Sequence, residues 1–461
     1  MISAEAPEVR MRRTLLPVAL AIAIAGSLAV FVSTAPAVSS SAVDVPSLPS
    51  WSEQLRVRDQ WVAKRHLMLA GMMRRHDLDW WIVVTEEFHE DPLVPFVAPP
   101  RPYAGNRDMF VFIDAGVKGL VRVALTGYAE ESLTGFFDSP GEPGAAEDRL
   151  RALYASYPPR RIGLAMSGRR GVARGLTHDG YRELVRILGK DAEARFASAG
   201  DLIEEYLDTR LPEEVPYFRD LVHLTEVLAH RALSSEAITP GVTTVGDLRR
   251  FLYDALWEHR VSTWFQPDFR VQRRGHDGGT SRGFLAVSAE STVIERGDLV
   301  HLDFGISAMG FDTDWQKMAY VLREGENGVP AGLARALEDT HAVQDALMRA
   351  ARPGRDASEV YRQAMAQMRE EGIEARIYSH PLGNQGHGLG PAIDSRSAHL
   401  GPTRDRALRP HSWMSIELGT VRGVPEWDGQ PAHVMQEDPA YLTDAGYRFF
   451  RPRQESFYLV R

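Results

Sequence analysis

The chain has 461 residues, of which 44% are hydrophobic and 25% are charged, with a formal net charge of −9 and no cysteine. This composition is that of a globular protein large enough for two domains, and its negative charge argues against a nucleic-acid partner. The lack of cysteine excludes disulfides, a thiol nucleophile and thiolate metal ligands.

The first segment has the residue order of an export signal. Three arginines precede an apolar run over residues 15–32, and small residues follow at 35–37. This order predicts a signal peptide, residues 1–37, that is cleaved after Ala37. The alternative is an uncleaved N-terminal anchor, because the run approaches the length of a membrane-spanning helix. We therefore expect an exported protein, periplasmic or secreted, that contacts a membrane only through this segment.

A linker that contains serine and proline, residues 38–50, leads into a region of alternating helical and strand patterns. Apolar residues at helical spacing over residues 58–78 predict a helix. Three apolar runs between residues 79 and 127 predict strands. We predict a smaller α/β domain over residues 51–210.

The remainder, residues 211–461, contains an internal repeat. Two segments run from a helix through Pro-Gly into a capped amphipathic helix, and their prolines, Pro240 and Pro353, lie 113 residues apart. A strand pattern with its own proline follows each of these helices. A period this long indicates two related halves of one domain. We expect two helical pairs that back a curved antiparallel sheet, with a site between the halves.

The segment DLVHLDFGISAMGFDTDWQKM, residues 298–318, predicts a hairpin with two aspartates near its turn. If the turn is centred between Ala308 and Met309, Asp303 and Asp314 lie directly opposite each other, with Cβ atoms about 5 Å apart. Like charges in this position destabilise a sheet unless a cation lies between them or one carboxylate is protonated. A bound cation is the simplest explanation.

Three later segments, HPLGNQGHGLGPAID, SIELG and QEDPAYLT, supply further metal-binding groups. They contain His380 and His387, Glu417, and Glu437. Each of these residues alone is more often structural than functional. Gathered with the two aspartates, their carboxylates would repel one another unless a cation were present. Oxygen donors with imidazole suit two divalent ions that share bridging carboxylates.

In the order of Asp303, Asp314, His387, Glu417 and Glu437, and in the eleven-residue spacing of the aspartates, the chain resembles the pita-bread metallopeptidases of family M24. This family includes aminopeptidase P, prolidase and methionine aminopeptidase. The resemblance starts near residue 211 and implies an α+β fold with a pseudo-twofold curved antiparallel sheet, preceded by a smaller α/β domain. It implies that these five residues bind two divalent metal ions, with manganese as the first candidate and cobalt, zinc or iron as alternatives.

The reaction implied by the resemblance is the hydrolysis of short peptides, of the Xaa-Pro type, through attack by a hydroxide that bridges the two metals. Glu417 is the expected proton shuttle, and a homodimer is usual among similar proteins. His380 lies seven residues before His387 and is assigned to the catalytic set, with a structural role in its loop as the alternative.

The chain departs from the family at positions that contact substrate. Leu285 and Ala286 stand where a histidine is usual, Asp394 stands where a second histidine is usual, and Met435 replaces an arginine of the proline-specific relatives. These departures leave open a hydrolase or lyase with non-peptide chemistry, as in the creatine hydrolases, and a metal-free binding protein. Our candidate substrate-binding residues are His276, Asp394, Glu426 and Trp427. For Glu426 and Trp427, the alternative is a place in an exposed loop.

Overall fold

The structure is a computed structural model that describes residues 45–101, 103, 107–126, 131–138, 146–276, 278–281, 284–396 and 406–461. The predicted signal peptide or anchor lies outside the described residues. Within these ranges, no helix is both long enough and apolar enough to cross a membrane.

Helices and strands alternate through the first half of the described chain and pair into two successive helix–sheet units in the second. The α-helices are α1 (Trp51–Arg75), α2 (Val94–Val97), α3 (Ala146–Ser156), α4 (His178–Leu188), α5 (Lys190–Glu193), α6 (Gly200–Asp208), α7 (Val215–Ala232), α8 (Val245–Glu258), α9 (Ala331–Ala350) and α10 (Ala357–Glu370). The strands are β1 (Trp80–Glu86), β2 (Arg107–Asp114), β3 (Leu120–Leu125), β4 (Ile162–Leu164), β5 (Phe196–Ser198), β6 (Asp268–Gln272), β7 (Thr280–Ser281), β8 (Phe284–Leu285), β9 (Leu299–Phe304), β10 (Ser307–Ala308), β11 (Phe311–Asp312), β12 (Trp315–Val321), β13 (Glu374–Pro381), β14 (Ile393–Asp394), β15 (Trp413–Gly423), β16 (Pro431–Thr443), β17 (Gly446–Phe449) and β18 (Tyr458–Val460).

The first five strands form a mixed sheet in the order β3-β2-β1-β4-β5. Strand β1 pairs antiparallel with β2 and parallel with β4. One face packs on α1 and α6 and the other on α3 and α4, so the central strands read as continuous apolar runs because both faces are buried. The predicted helix and the three predicted strands of this region are confirmed.

The larger sheet has the order β14-β13-β15-β16-β12-β9-β6, with β17 paired to β16 and β18 paired to β12. Its neighbours pair antiparallel except for β12 and β18. Helices α7 and α8 pack on β6, β9 and β12, and helices α9 and α10 pack on β13, β15 and β16. The predicted arrangement, two helical pairs behind a curved antiparallel sheet, is confirmed.

The two halves of this region repeat the same local geometry at their Pro-Gly turns. Gly241 and Gly354 have φ values of 79° and 80°, a left-handed conformation that glycine adopts without strain. The side chains of Thr244 and Asp356 then cap the N-termini of α8 and α10. The internal repeat seen in the sequence is therefore a repeat of structure.

Two ion pairs, one of them fully buried, connect the segments that carry the two sheets. Arg65 of α1 pairs with Glu214 at 2.7 Å, and Arg409 pairs with Asp208 of α6 at 2.7 Å. Residues 45–461 form one compact unit, and the domain boundary after Arg210 stays a prediction.

Candidate metal centre

The hairpin that carries the two aspartates has a different register from the predicted one. Its turn is formed by Met309 and Gly310, whose φ values of 57° and 76° are those of a tight hairpin turn. As a result Asp303 lies opposite Gln316, not opposite Asp314. The turn centre is one residue later than predicted, so the register shifts by two positions. A shift of two keeps every side chain on the same face, and both aspartates still point into one site.

The central strands bring the remaining donors to the same place. On β16, Glu437 lies between Glu417 of β15 and Gln316 of β12 in one row across the sheet. The potential ligand atoms form three overlapping groups, and within each group these atoms lie within 4.8 Å of one another. The groups are Asp303 with Asp314 and Glu437, His380 with Glu417 and Glu437, and Asp314 with His380 and His387. All five predicted metal ligands and both predicted catalytic residues, Glu417 and His380, therefore meet in one cluster.

Negative charge is concentrated in this cluster. Burial raises the pKa of Asp303, Asp314 and Glu417, and the nearby carboxylate of Glu437 raises it further. Among the described residues, His380 Nε2 and Glu437 Oε2 are buried without a hydrogen-bond partner. A divalent cation would satisfy both atoms and offset the repulsion between the carboxylates, so the donors fit a metal centre.

Two polar neighbours hold the carboxylates in position. Gln316 Nε2 donates to Glu417 Oε1 at 2.9 Å and to Asp303 Oδ2 at 3.2 Å. Ser415 Oγ donates to Glu437 Oε1 at 2.6 Å. Neither Gln316 nor Ser415 was predicted from the sequence. The available signal was the strand alternation that places Ser415 on the same face as Glu417.

The loop that carries His387 is anchored to the aspartate hairpin. Trp264 Nε1 donates to the carbonyl of Thr313 at 2.8 Å, and its ring lies edge-on to His387 with centroids 5.1 Å apart. Asp312 Oδ2 accepts a hydrogen bond from the Gly386 amide at 3.2 Å. Burial lowers the pKa of His387 to about 3, so its imidazole is neutral at physiological pH, as metal ligation requires.

Replacing Gly386 with alanine is expected to lower metal affinity by about 10- to 100-fold, the range for residues that orient ligands. A Cβ atom at this position would lie 2.0 Å from Cζ2 of Trp264, and the hydrogen bond to Thr313 keeps that ring in place. The loop and His387 must therefore move. Isothermal titration with Co²⁺ measures the change. Gly328→Ala is the matched control because a Cβ atom there meets nothing within 4 Å, and equal affinities for the two variants would contradict the positioning role of Trp264.

Two of the predicted substrate-binding residues lie in different surroundings. His276 lines a cavity of about 320 Å³ together with Leu285 and His433. Asp394 is buried and pairs with Arg396 at 3.1 Å. The structure therefore leaves His276 exposed to a cavity, whereas the carboxylate of Asp394 is engaged by a guanidinium.

The other two predicted substrate-binding residues require a correction. Glu426 Oε1 accepts from the Gly332 amide at 3.0 Å, in the first turn of α9, where helix N–H groups lack partners within the helix. Trp427 is 2% exposed and packs in a core cluster with Tyr320 and Leu333. In the PEWDGQ loop, Glu426 therefore caps α9 and Trp427 packs in a hydrophobic core. Neither of these side chains lines the metal site.

Strand β13, which carries His380, also carries an exposed cation, Arg376. Arg376 of β13 lies opposite Gly419 of β15, and Gly419 lies opposite Met435 of β16. Arg376 is exposed and lines a small pocket with Leu285, Met435 and other residues. Gly419 has no side chain, and Met435 packs closely against it: a Cβ atom there would lie 3.3 Å from Cγ of Met435.

The sequence match agrees with this geometry. The model of metallopeptidase family M24 matches residues 218–448, just over half of the chain, and this range includes all the donors of the cluster. The protein belongs to metallopeptidase family M24, a metal-dependent family, and the resemblance proposed from the sequence is confirmed. A search of curated proteins finds no match.

Solved structures with the same fold align with this protein over almost their whole length. An X-Pro aminopeptidase from Thermotoga maritima MSB8 has a TM-score of 0.62 and 15% identity, covering 85% of this chain and 100% of that one. A Xaa-Pro dipeptidase from Bacillus anthracis has a TM-score of 0.63 and 17% identity, covering 86% and 99%. The N-terminal domain of a FACT complex subunit from Cicer arietinum has a TM-score of 0.61 and 12% identity, covering 88% and 99%. These likenesses show the pita-bread fold, with its smaller preceding domain, and nothing finer.

Proposed function

We propose that the protein is an exported peptidase that uses two divalent metal ions to hydrolyse short peptides of the Xaa-Pro type. One observation carries the proposal: four carboxylates and two imidazoles meet within a few ångströms of one another in a chain of the M24 family. Xaa-Pro specificity is supported by the aminopeptidase and dipeptidase among the solved structures that share the fold.

The number of donors supports two ions. Asp314, His380 and Glu437 each belong to two of the three ligand groups, so carboxylates from one group can be shared with the next. One ion alone would leave part of this buried negative charge uncompensated.

Each side chain then has a defined task. Divalent ions bound here would acidify a water molecule and polarise a peptide carbonyl. Glu417 has one oxygen fixed by Gln316 at 2.9 Å, and its other oxygen is 3.5 Å from His380 Nε2. A largely buried carboxylate fixed in this way suits a group that accepts a proton from that water and returns it to a leaving amine.

The wall two positions along the strands from Glu417 and Glu437 contains Gly419 and Met435. Leu285 and Met435 line a pocket of only about 20 Å³, so the ring of a proline would contact its apolar rim and would not enter it. Arg376 at its edge offers a guanidinium to a peptide carboxylate.

The test is peptide hydrolysis by the metal-stripped protein before and after reconstitution. The panel contains Xaa-Pro dipeptides, Xaa-Pro-Yaa tripeptides and matched peptides with alanine in place of proline, each with Mn²⁺, Co²⁺, Zn²⁺ or Fe²⁺. We expect no activity after stripping, recovery with metal, and at least about tenfold preference for proline, equivalent to about 1.4 kcal/mol. Full activity of the stripped protein would contradict the mechanism. Cleavage of no peptide by the metal-loaded protein would favour non-peptide hydrolase or lyase chemistry.

Export is tested separately because it does not depend on activity. A fusion of residues 1–50 to alkaline phosphatase is expected to give an enzyme that is active outside the cytoplasm, with a mature N-terminus after Ala37 if the signal is cleaved. An inactive, cytoplasmic fusion would contradict this part of the proposal. The homodimer stays a prediction.

A further inference from the structure

We propose that His380 is a metal ligand, so that the centre has two imidazole ligands instead of the single one implied by the family resemblance. The inference rests on the metal binding of the proposed function and is independent of the peptidase reaction. It concerns a residue of the cluster that the sequence assigned to catalysis.

The position of the imidazole carries the first part of the argument. His380 Nε2 is 3.3 Å from Glu437 Oε1, 3.5 Å from Glu417 Oε2 and 3.6 Å from Asp314 Oδ2. Ligands bound at about 2.1 Å around a tetrahedral ion are separated by about 3.4 Å. The nitrogen therefore lies at the separation expected between two ligands of one ion from each of the three oxygens, which belong to different ligand groups.

The second part is the hydrogen bonding of the ring. His380 Nδ1 lies 3.2 Å from the carbonyl oxygen of Pro381. A carbonyl can only accept, so Nδ1 carries the proton and, in the neutral ring, the lone pair is left on Nε2. Metal-bound histidines are oriented by a hydrogen bond from the other ring nitrogen in this way.

The third part is the unsatisfied hydrogen bonding of Nε2. His380 is 2% exposed, and Nε2 has three carboxylate oxygens within 3.6 Å but no hydrogen bond of ordinary geometry among the described residues. A buried polar atom without a partner is costly, and a bound metal ion would remove that cost. His387 belongs to the same ligand group through Asp314, and the two imidazole rings have centroids 4.6 Å apart. The two rings are therefore close enough to serve one centre.

A second imidazole changes the metal preference. Carboxylates alone suit manganese, whereas nitrogen donors favour cobalt, zinc and iron. We therefore expect Co²⁺ and Zn²⁺ to bind more tightly than Mn²⁺, a different order from the one implied by the family resemblance.

The deciding experiment counts metal-bound imidazoles in the cobalt-loaded wild-type protein. Proton NMR detects the exchangeable N–H of each histidine bound to Co²⁺ as a strongly shifted signal. We expect two such signals in the wild type, and the loss of a different one in His380→Gln and in His387→Gln. His341→Gln is the matched control, because it removes a partly buried histidine that lies in the middle of α9 and belongs to none of the three ligand groups. This variant is expected to keep both signals.

Affinity gives the second readout. His380→Gln is expected to lower Co²⁺ affinity by at least about 100-fold, more than the range for residues that only orient ligands, and Mn²⁺ affinity by less, as measured by titration of the metal-free proteins. A single shifted signal in the wild type would overturn the proposal without any variant and would leave metal dependence intact. Unchanged Co²⁺ affinity in a folded His380→Gln variant would also overturn it. Two signals in a protein that cleaves no peptide would instead reject the peptidase function and retain the ligand assignment.

Discussion

Replacement of Glu437 by glutamine is expected to lower kcat/KM on the best peptide of the panel by about 1,000-fold or more, through loss of metal together with its acidified water. Glu437 belongs to two of the three ligand groups and is 1% exposed. The amide keeps the size of the side chain and can still accept from Ser415, but it loses the charge that binds the ions. Metal content per chain and steady-state kinetics measure the effect.

Glu370→Gln is the control for this change. Glu370 is an exposed glutamate at the end of α10, so its neutralisation removes the same charge without removing a ligand or a residue of the proposed substrate wall. We expect full metal content and nearly unchanged kinetics. A Glu437→Gln variant that retained both metal ions and full activity would contradict the assignment of the centre.

The same variant has an expected effect on stability. In the metal-free protein the Glu437 carboxylate is the neighbour that most raises the pKa of Asp303, Asp314 and Glu417. Its neutralisation relieves repulsion, so metal-free Glu437→Gln is expected to be at least as stable to urea as the metal-free wild type. Metal should then stabilise only the wild type, by mass action on the folded state.

Replacement of Lys317 by methionine is expected to lower the free energy of unfolding by about 3–5 kcal/mol, the range for breaking one partner of a buried ion pair. Lys317 is 1% exposed, and Nζ donates to Asp438 Oδ1 at 2.6 Å and to the Glu437 carbonyl at 2.8 Å. Its ammonium also lies 4.1 Å from the centre of the Trp315 ring. Methionine fills the space but leaves the Asp438 carboxylate buried without its cation. Urea denaturation measures the loss.

Two further variants separate the buried charge from other effects. Lys64→Met removes an ammonium from an exposed pair with Glu213 and is expected to cost less than about 1 kcal/mol. Lys317→Met combined with Asp438→Leu removes both buried charges and is expected to be less destabilised than Lys317→Met alone. If the single and double variants lost the same stability, an uncompensated charge would not be the cause.

The pair between Lys317 and Asp438 also connects stability to the site. Lys317 follows Gln316 on β12, and Asp438 follows Glu437 on β16, so the buried charges fix the two strands where their neighbours face the metal ligands. We expect this fixed register to be the reason that Gln316 stays within reach of both Glu417 and Asp303.

Much of the fold and of the cluster followed from local patterns. The repeated Pro-Gly turns indicated two halves, and the order of two aspartates, a histidine and two glutamates indicated one metal centre. The wrong turn position did not change the predicted site, because Asp303 and Asp314 stay on one face when the register shifts by two positions. The turn lies where Met309 and Gly310 adopt positive φ values, and the residue pattern did not predict that these two residues would do so.

The prediction that Glu426 and Trp427 bind substrate failed for a physical reason. Glu426 and Trp427 lie in an acidic, aromatic loop. Residues of these types can line a pocket, but they can equally cap a helix, as Glu426 does, or pack in a core, as Trp427 does. Which of these forms depends on whether the amide of Gly332 and the side chains of Leu333 and Tyr320 arrive at the same place, and these come from distant parts of the chain.

Residue type and the period of a strand were enough to predict which residues can bind metal and which strand face each occupies. They could not predict that His380 enters the cluster beside His387, that Gln316 and Ser415 orient the carboxylates, or that Trp427 lies in a core. These outcomes depend on distances between strands and helices far apart in the chain, and such distances are set by packing of the whole sheet against its helices.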